Sequence, residues 1–226
     1  MLAIGPSPEM YLKSLFELSP ADQPVSIAAV ASHLGVTPVS ASEMVHRLER
    51  GRLVVHRRYR GVRLTTGGRR HAIGLIRRHR LWESFLHAEL GLPWEAVHDV
   101  ACDLEHAAGD EVTEALAQRL GHPLRCPHGN LIPDRQRRIA PDPTSPLDAL
   151  TEGDHAVLVS VHPETNATLA YLAAHDFHPG QPFTVERIER TDNLFVLRGE
   201  AGTITVGPEL AGRLNVRRTD IDMTNQ

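Results

Sequence analysis

The feature of this sequence that most constrains its fold is the segment Val97–Leu116, where an apolar stripe runs beside potential metal ligands. Apolar residues recur there at three- and four-residue steps: Val97, Ala101, Leu104, Ala108, Val112 and Ala115. At roughly 100° per residue, four polar side chains fall within an arc of about 100° beside this stripe. They are His98, Cys102, Glu105 and His106. The pattern predicts one long helix that presents all four on one face.

A second pair of donors precedes this segment. His79 and Glu83 lie four residues apart on the preceding predicted helix, so both point the same way. Imidazole, carboxylate and sulfur donors on neighbouring helices suit iron(II), manganese(II), cobalt(II), nickel(II) or zinc(II) better than calcium. The alternative is that these side chains pack or face solvent, because a single His–Glu pair at this spacing often arises by chance.

Positive charge is concentrated in one part of the chain. The segment from Arg47 to Arg80 holds twelve arginines and one acid, Glu49, whereas the chain of 226 residues has a net charge of −4. This asymmetry predicts that one domain binds a polyanion, and the alternative is a solvated basic helix.

Composition limits the class of protein to which this chain can belong. The sequence contains no run of about 18 apolar residues, so we expect no membrane span. The N-terminus does not have the pattern of a secretory signal. The two cysteines do not form a disulfide framework, so we expect free thiols and a cytoplasmic protein.

The basic segment follows a predicted helix-turn-helix. Ile27–Leu34 ends at Gly35, Thr37-Pro38 begins the helix Val39–Arg50, and two short strands with an arginine-rich turn come next. The hairpin is typical of a wing. We expect DNA to be contacted by the start of the second helix and by the wing tip. These candidates are Thr37, Val39, Ser40, Ser42, Glu43, Arg57, Arg58, Tyr59 and Arg60.

After the wing, the sequence pattern is first helical, then rich in proline, and finally strand-like. The helices Thr66–Glu89 and Val97–Leu116 predict a helical hairpin of the kind that often dimerises. Prolines then indicate a flexible linker, and strand-like runs around the helix Asn166–Ala174 predict an SH3-like barrel. The predicted fold is therefore mostly α with a small β domain. Its domains are a winged helix at 1–73, a helical metal-binding and dimerisation domain at 74–140, a linker at 141–150 and an SH3-like (FeoA-like) domain at 151–226.

This arrangement, together with several short segments, closely resembles the DtxR/MntR family of metal-dependent transcriptional repressors. The matching segments are Glu9-Met10-Tyr11-Leu12, His79-Arg80-Leu81, Val97-His98-Asp99, Ala101-Cys102, Glu105-His106, Asp110-Glu111-Val112 and Pro127-His128-Gly129-Asn130 with Pro133. The resemblance implies a homodimer that represses metal homeostasis genes by binding a palindromic DNA operator, without a small-molecule substrate.

The resemblance also implies two metal sites per subunit. The primary, activating site would use Met10, Cys102, Glu105 and His106. The ancillary site would use His79, Glu83 and His98, with Glu164 supplied by the SH3-like domain. A metal held by both Met10 and the dimerisation helix would fix the angle between the DNA-binding domain and the dimer.

Two questions stay open from the sequence. Met10 and Cys102 match the iron-responsive branch, whereas Tyr59-Arg60-Gly61 resembles wings of the manganese branch, so the corepressor is iron(II) or manganese(II). The functional alternative is a metal-dependent hydrolase that uses the His/Glu/Cys cluster. Against it, nearly every candidate group is used as a ligand, leaving no separate base or nucleophile.

Overall fold

The computed structural model describes residues 7–19, 23–189 and 191–219. The chain divides into two compact units. The first comprises Met1–Arg78 and Pro133–Arg138, and the second comprises His79–Ile132 and Ile139–Gln226. In the described ranges, no helix is both long enough and apolar enough to cross a bilayer.

The first unit contains the predicted helix-turn-helix. Its helices are α1 (Pro8–Glu17), α2 (Ile27–His33) and α3 (Pro38–Arg50). Each helix begins at a hydroxyl residue whose side chain accepts a hydrogen bond from a backbone amide of the first turn. These residues are Ser7, Ser26 and Thr37. The apolar faces of the three helices pack into one core around Leu15, Val30 and Val45, which fixes α3 on the unit's surface.

A two-stranded wing follows α3, as the sequence predicts. Strands β1 (Val54–Arg57) and β2 (Gly61–Leu64) are antiparallel, and the register runs from Val54 opposite Leu64 to Arg57 opposite Gly61. Gly61 has a φ of +97°, and a Cβ there would lie 2.6 Å from the Val25 carbonyl oxygen. Only glycine fits this close approach, which holds the base of the wing against the preceding segment.

The prediction of one long helix over Val97–Leu116 is wrong. After α4 (Thr66–Ala88), the structure has two separate helices, α5 (Val97–Leu104) and α6 (Asp110–Arg119). Glu105 caps the end of α5, and Gly109 is extended at the start of α6, with φ −79° and ψ 177°. Acidic residues at the first two positions of α6 favour a new helix start. The apolar spacing concealed the break because Ala108 is buried although it lies outside both helices.

The C-terminal part of the second unit is a six-stranded antiparallel sheet, in the order β3-β8-β4-β5-β6-β7. Its elements are β3 (Ser145–Pro146), β4 (His155–Val161), α7 (Asn166–Ala174), β5 (Pro182–Glu189), β6 (Leu194–Gly199), β7 (Gly202–Val206), α8 (Pro208–Ala211) and β8 (Leu214–Arg218). The predicted bounds of α7 are confirmed. Strand β8 was not predicted from the sequence.

Part of the predicted flexible linker belongs to this β domain. Ser145 and Pro146 pair with β8, and Leu147 is completely buried in the core of the barrel. Trp94, from the segment before α5, lies in the same core. The helical and β parts of the second unit therefore share buried contacts.

Candidate metal centre

Helix α4 places two candidate ligands one turn apart and buries both. His79 is 3% exposed and Glu83 is completely buried. Their side chains meet, with His79 Nε2 lying 2.8 Å from Glu83 Oε1. A fully buried carboxylate requires a cation or several hydrogen-bond donors, so Glu83 is the centre around which the other groups are arranged.

Helix α5 brings His98 and Cys102 to the same place. His98 Nδ1 lies 3.2 Å from both Glu83 Oε1 and His79 Nε2. The Cys102 sulfur is 3.9 Å from His79 Nδ1 and 3.9 Å from His98 Nε2. Side chains from α4 and α5 thus form one continuous cluster.

Glu105 and His106 lie just beyond the end of α5. Glu105 is almost completely buried, and its Oε2 is 2.7 Å from His79 Nδ1. His106 Nε2 lies 3.6 Å from Glu105 Oε1. Met10 lies at the start of α1 in the first unit, where its backbone amide donates to Ser7. Six of the eight predicted ligands, His79 among them, therefore lie close together in the second unit.

The structure adds a ligand candidate that the sequence analysis did not assign. His128, in the loop after α6, is completely buried, and its Nδ1 lies 3.0 Å from Glu83 Oε1. Its Nε2 lies 2.7 Å from the Trp94 carbonyl oxygen. The segment Pro127-His128-Gly129-Asn130 supported the family resemblance, but no local spacing connects His128 to Glu83. Only the tertiary fold joins them.

Glu164 lies beside this loop. Asn130 donates from Nδ2 to Glu164 Oε1 at 2.6 Å, and His162 Nδ1 lies 3.3 Å from Glu164 Oε2. One ligand atom from each of Glu164, Glu83, Cys126 and His128 lies within 4.8 Å of the others. A separate set within that limit consists of His79, His98 and Cys102.

Electrostatics favours charged groups in this cluster. Burial alone would raise the pKa of Glu83, but His79 and His128 outweigh burial and hold its pKa well below the usual range. Burial opposes the charged form of His98, yet its contacts with Cys102 and Glu83 raise its pKa to about 9. Burial likewise opposes charge on His128, and Glu83 raises its pKa. In the absence of metal, protons therefore balance the charge of Glu83.

Burial also acts on the pKa values of Cys126 and Glu164, but with opposite outcomes. Burial raises the pKa of the Cys126 thiol well above its usual value, and the nearby Glu83 carboxylate raises it further. Burial would raise the pKa of Glu164 too, but the hydrogen bond with His162 lowers it to about 2.

The donor set fits a divalent transition metal. It combines imidazole nitrogens, carboxylate oxygens and thiol sulfur, the mixture typical of iron, cobalt and zinc sites rather than calcium sites. Glu83 Oε2 is buried and has no hydrogen-bond partner, which is costly unless a cation occupies that side. The residues present are therefore suited to hold such a metal.

The predicted DNA-contact residues are exposed in the first unit, except Ser42, which is half-buried. Thr37, at the N-cap of α3, shares a 3.0 Å hydrogen bond with Ser40 Oγ. Val39 is 69% exposed, and Tyr59 at the wing tip is 91% exposed. A groove beside the wing is lined by Gln23, Pro24, Val55, Arg57, Arg60, Gly61, Arg63 and Leu64. Three guanidinium groups there match the charge of a phosphate backbone.

Comparison with known proteins finds matches to each domain of the chain. Family models described as the N-terminal DNA binding domain and the metal binding and dimerisation domain of iron dependent repressors match residues 3–62 and 65–134. A FeoA domain model matches residues 145–218. The solved structure of a manganese-dependent transcriptional repressor in complex with manganese is 31% identical, with a TM-score of 0.85. It aligns with 94% of this chain and 100% of its own.

The chain belongs to the DtxR/MntR family of metal-dependent transcriptional repressors. The predicted fold class, a winged helix with a helical domain and a C-terminal SH3-like domain, is confirmed. Another solved member, ScaR with bound Zn2+, is 28% identical with a TM-score of 0.83, and the match covers 95% of this chain and 100% of that one.

Curated members of the DtxR/MntR family match over part of the chain. The diphtheria toxin repressor of Corynebacterium jeikeium is 40% identical over 125 residues, which are 55% of this chain and 52% of that protein. The iron-dependent repressor IdeR of Mycobacterium tuberculosis is 36% identical over 136 residues, 60% of this chain and 59% of its own. The chain thus spans between half and three fifths of the length of these relatives.

Proposed function

We propose that this chain is a metal-activated DNA-binding repressor of metal homeostasis genes, acting in the cytoplasm with iron(II) or manganese(II) as corepressor. The observation that carries the proposal is the buried donor cluster around Glu83. It occurs in a chain whose first unit is a winged helix with an arginine-rich wing. Membership of a repressor family supports the same function and disfavours the alternative of a hydrolase.

We propose two metal sites per subunit. The primary site uses Met10, Cys102, Glu105 and His106, and the ancillary site uses His79, Glu83, His98 and Glu164. The proposal of neighbouring metal sites is supported by the 2.7 Å separation of His79 Nδ1 and Glu105 Oε2, two of these donors in the second unit. When bound, the metal supplies a fixed point on which ligands from separate helices converge.

The features of the first unit support DNA as the proposed partner. The exposed start of α3 is proposed to enter the major groove, and the wing arginines to contact phosphates. A homodimer would place two such helices on half-sites about one helical turn, roughly 34 Å, apart. The operator is therefore proposed to be palindromic.

The names of the relatives do not decide whether iron or manganese is the corepressor. Curated relatives include the iron-dependent repressor IdeR, whereas the solved structures include a manganese-dependent repressor bound to manganese. Sulfur from Met10 and Cys102 favours iron(II) over manganese(II) at the primary site, because manganese(II) prefers oxygen ligands. Anaerobic titration with each metal against DNA binding would decide between them.

The test uses Glu105→Gln, with Asp103→Asn in the last turn of α5 as a matched control. Asp103 is exposed, whereas Glu105 is buried beside His79. An operator is first selected from random duplexes in the presence of manganese(II), and binding is then measured by fluorescence anisotropy with metal or chelator. We expect chelator to abolish specific binding by the wild type, Glu105→Gln to lose at least about tenfold in affinity, and Asp103→Asn to keep it. Unchanged metal dependence in Glu105→Gln would contradict the primary site.

A further inference from the structure

The arginine-rich segment contains one acidic side chain that the repressor mechanism above does not use. Between Arg47 and Arg80 this acid is Glu49, and a carboxylate in a DNA-binding unit would repel phosphates. In the structure Glu49 lies beside two histidines, His46 and His56, and one ligand atom from each of the three lies within 4.8 Å of the others. We propose that His46, Glu49 and His56 form a metal site within the first unit, with zinc(II) as the representative ion.

Local geometry brings these three side chains together. His46 and Glu49 lie three residues apart in α3, so they share one side of that helix. Side chains alternate along β1, so His56 lies on the same face as Val54, which is buried in the core of the unit. The His56 ring therefore turns towards α3. Its centroid is 5.5 Å from that of the His46 ring, and the two planes meet at 70°.

The Glu49 carboxylate is held in place by one oxygen, which leaves the other for a metal. The backbone amide of His56 donates to Glu49 Oε1 at 3.0 Å. The second oxygen, Oε2, lies 3.7 Å from His46 Nδ1. Carboxylates that bind metals are commonly fixed by such a hydrogen bond from the protein. Because His46 is exposed, an ion can enter from solvent, and water can take the remaining coordination position.

The donor set determines the class of metal. Two imidazoles and one carboxylate with an open fourth position are a ligand set of zinc(II), whereas manganese(II) and calcium prefer oxygen ligands. Metal–ligand bonds of about 2.0–2.1 Å place tetrahedral ligand atoms roughly 3.3 Å apart. The 3.7 Å separation of Glu49 Oε2 and His46 Nδ1 is close to this spacing, so the two side chains need to move only slightly.

An ion at this site would join α3 to the wing. His46 and Glu49 belong to the helix, whereas His56 belongs to β1 of the hairpin. The ion would restrain the wing relative to α3 and would neutralise the charge of Glu49. An effect of this restraint on DNA binding rests on the proposed function, whereas the site itself does not, and it shares no ligand with the sites proposed in the second unit.

The experiment titrates zinc(II) into chelator-treated full-length protein and follows the histidine ring signals by NMR. The signals of His46 and His56 are identified by their loss in His46→Gln and His56→Gln. We expect zinc(II) to shift both signals together in the wild type and to slow hydrogen exchange of the wing amides. In Glu49→Gln the side-chain carbonyl can still accept from the His56 amide, but the carboxylate is gone. Zinc affinity at this site should therefore fall at least about tenfold.

Another histidine of the same unit supplies the matched control. His71 is exposed and lies outside this cluster. In equilibrium dialysis at the same free zinc(II) concentration, His71→Gln should bind as many ions per chain as the wild type, whereas His46→Gln should bind one fewer.

Ring signals of His46 and His56 that stay unchanged while zinc(II) fills the second unit would overturn the proposed site and leave the repressor function intact. Shifts of the same size at the same zinc(II) concentrations in the wild type and in Glu49→Gln would also overturn it, because the carboxylate would then not be a ligand. Shifts that require Glu49 would support the site even if chelator had no effect on DNA binding.

Discussion

Replacing Glu83 by glutamine in the metal-free chain should cost stability in a way that depends on pH. Glutamine preserves the shape of the side chain but removes the negative charge that His79, His98 and His128 approach at 2.8, 3.2 and 3.0 Å. Breaking a buried ion pair by removing one partner typically costs 3–5 kcal/mol, so we expect a loss of about 3 kcal/mol near pH 6.

The direction of the pH dependence follows from the opposite pKa shifts of the Glu83 carboxylate and the His98 imidazole. The pKa of Glu83 is lowered, so its stabilisation is present above its ordinary value of 4.5 and is lost as the pH falls. The pKa of His98 is raised from 6.5 to about 9, so its stabilisation is complete below 6.5 and is lost as the pH rises through 9. The charged cluster is therefore most stabilising at about pH 5–6.5, and above about pH 9.5 the cost of Glu83→Gln should fall to about 1 kcal/mol.

The assay is urea unfolding in the presence of chelator, followed by tryptophan fluorescence. Both tryptophans, Trp82 and Trp94, lie in the second unit, so their emission reports the unit that contains Glu83. The control is Glu89→Gln, which removes a surface ion pair with Arg119 and should cost less than about 1 kcal/mol. An equal cost near pH 6 and pH 9.5, or a cost no larger than that of Glu89→Gln, would refute the reasoning.

Three further predictions concern metal, DNA and the loop. Metal must displace protons from His98, so the rise in melting temperature on adding manganese(II) should be larger at about pH 8 than at about pH 6; an equal rise would contradict this. Arg57→Ala or Arg60→Ala should weaken binding to all duplexes alike and reduce the salt slope by about 1, and a loss confined to one base position would exclude a phosphate contact. Gly129→Ala, whose Cβ would collide with the Val159 carbonyl oxygen of β4, should destabilise the second unit in urea by several kcal/mol, whereas Gly153→Ala, at a similar φ with nothing within 4 Å, should cost only about 1–2 kcal/mol. Equal costs for the two glycine variants would show that the close approach to β4 is unimportant.

Local spacing was sufficient to predict much of the centre. The i,i+4 relation of His79 and Glu83, and that of His98 and Cys102, survives because each pair lies within one helix. The helix break before Asp110 was missed because the apolar stripe continues through the turn, where Ala108 remains buried.

The rest of the centre depends on long-range packing. His128 reaches Glu83 across 45 residues because the loop is held against β4, and no periodic pattern encodes that approach. The short strand β3 and the buried Leu147 were likewise hidden among prolines, which in sequence indicate a linker. In these cases the missed contacts join residues that are distant in sequence.

The imidazole of His79 touches Glu83 with one nitrogen and Glu105 with the other. Each nitrogen thus faces a carboxylate assigned to a different metal site. A cation that takes one nitrogen fixes the hydrogen on the other, and so alters how strongly the opposite carboxylate can hold a cation of its own. Because such influence is reciprocal, filling either site would change the affinity of the other for metal by the same factor.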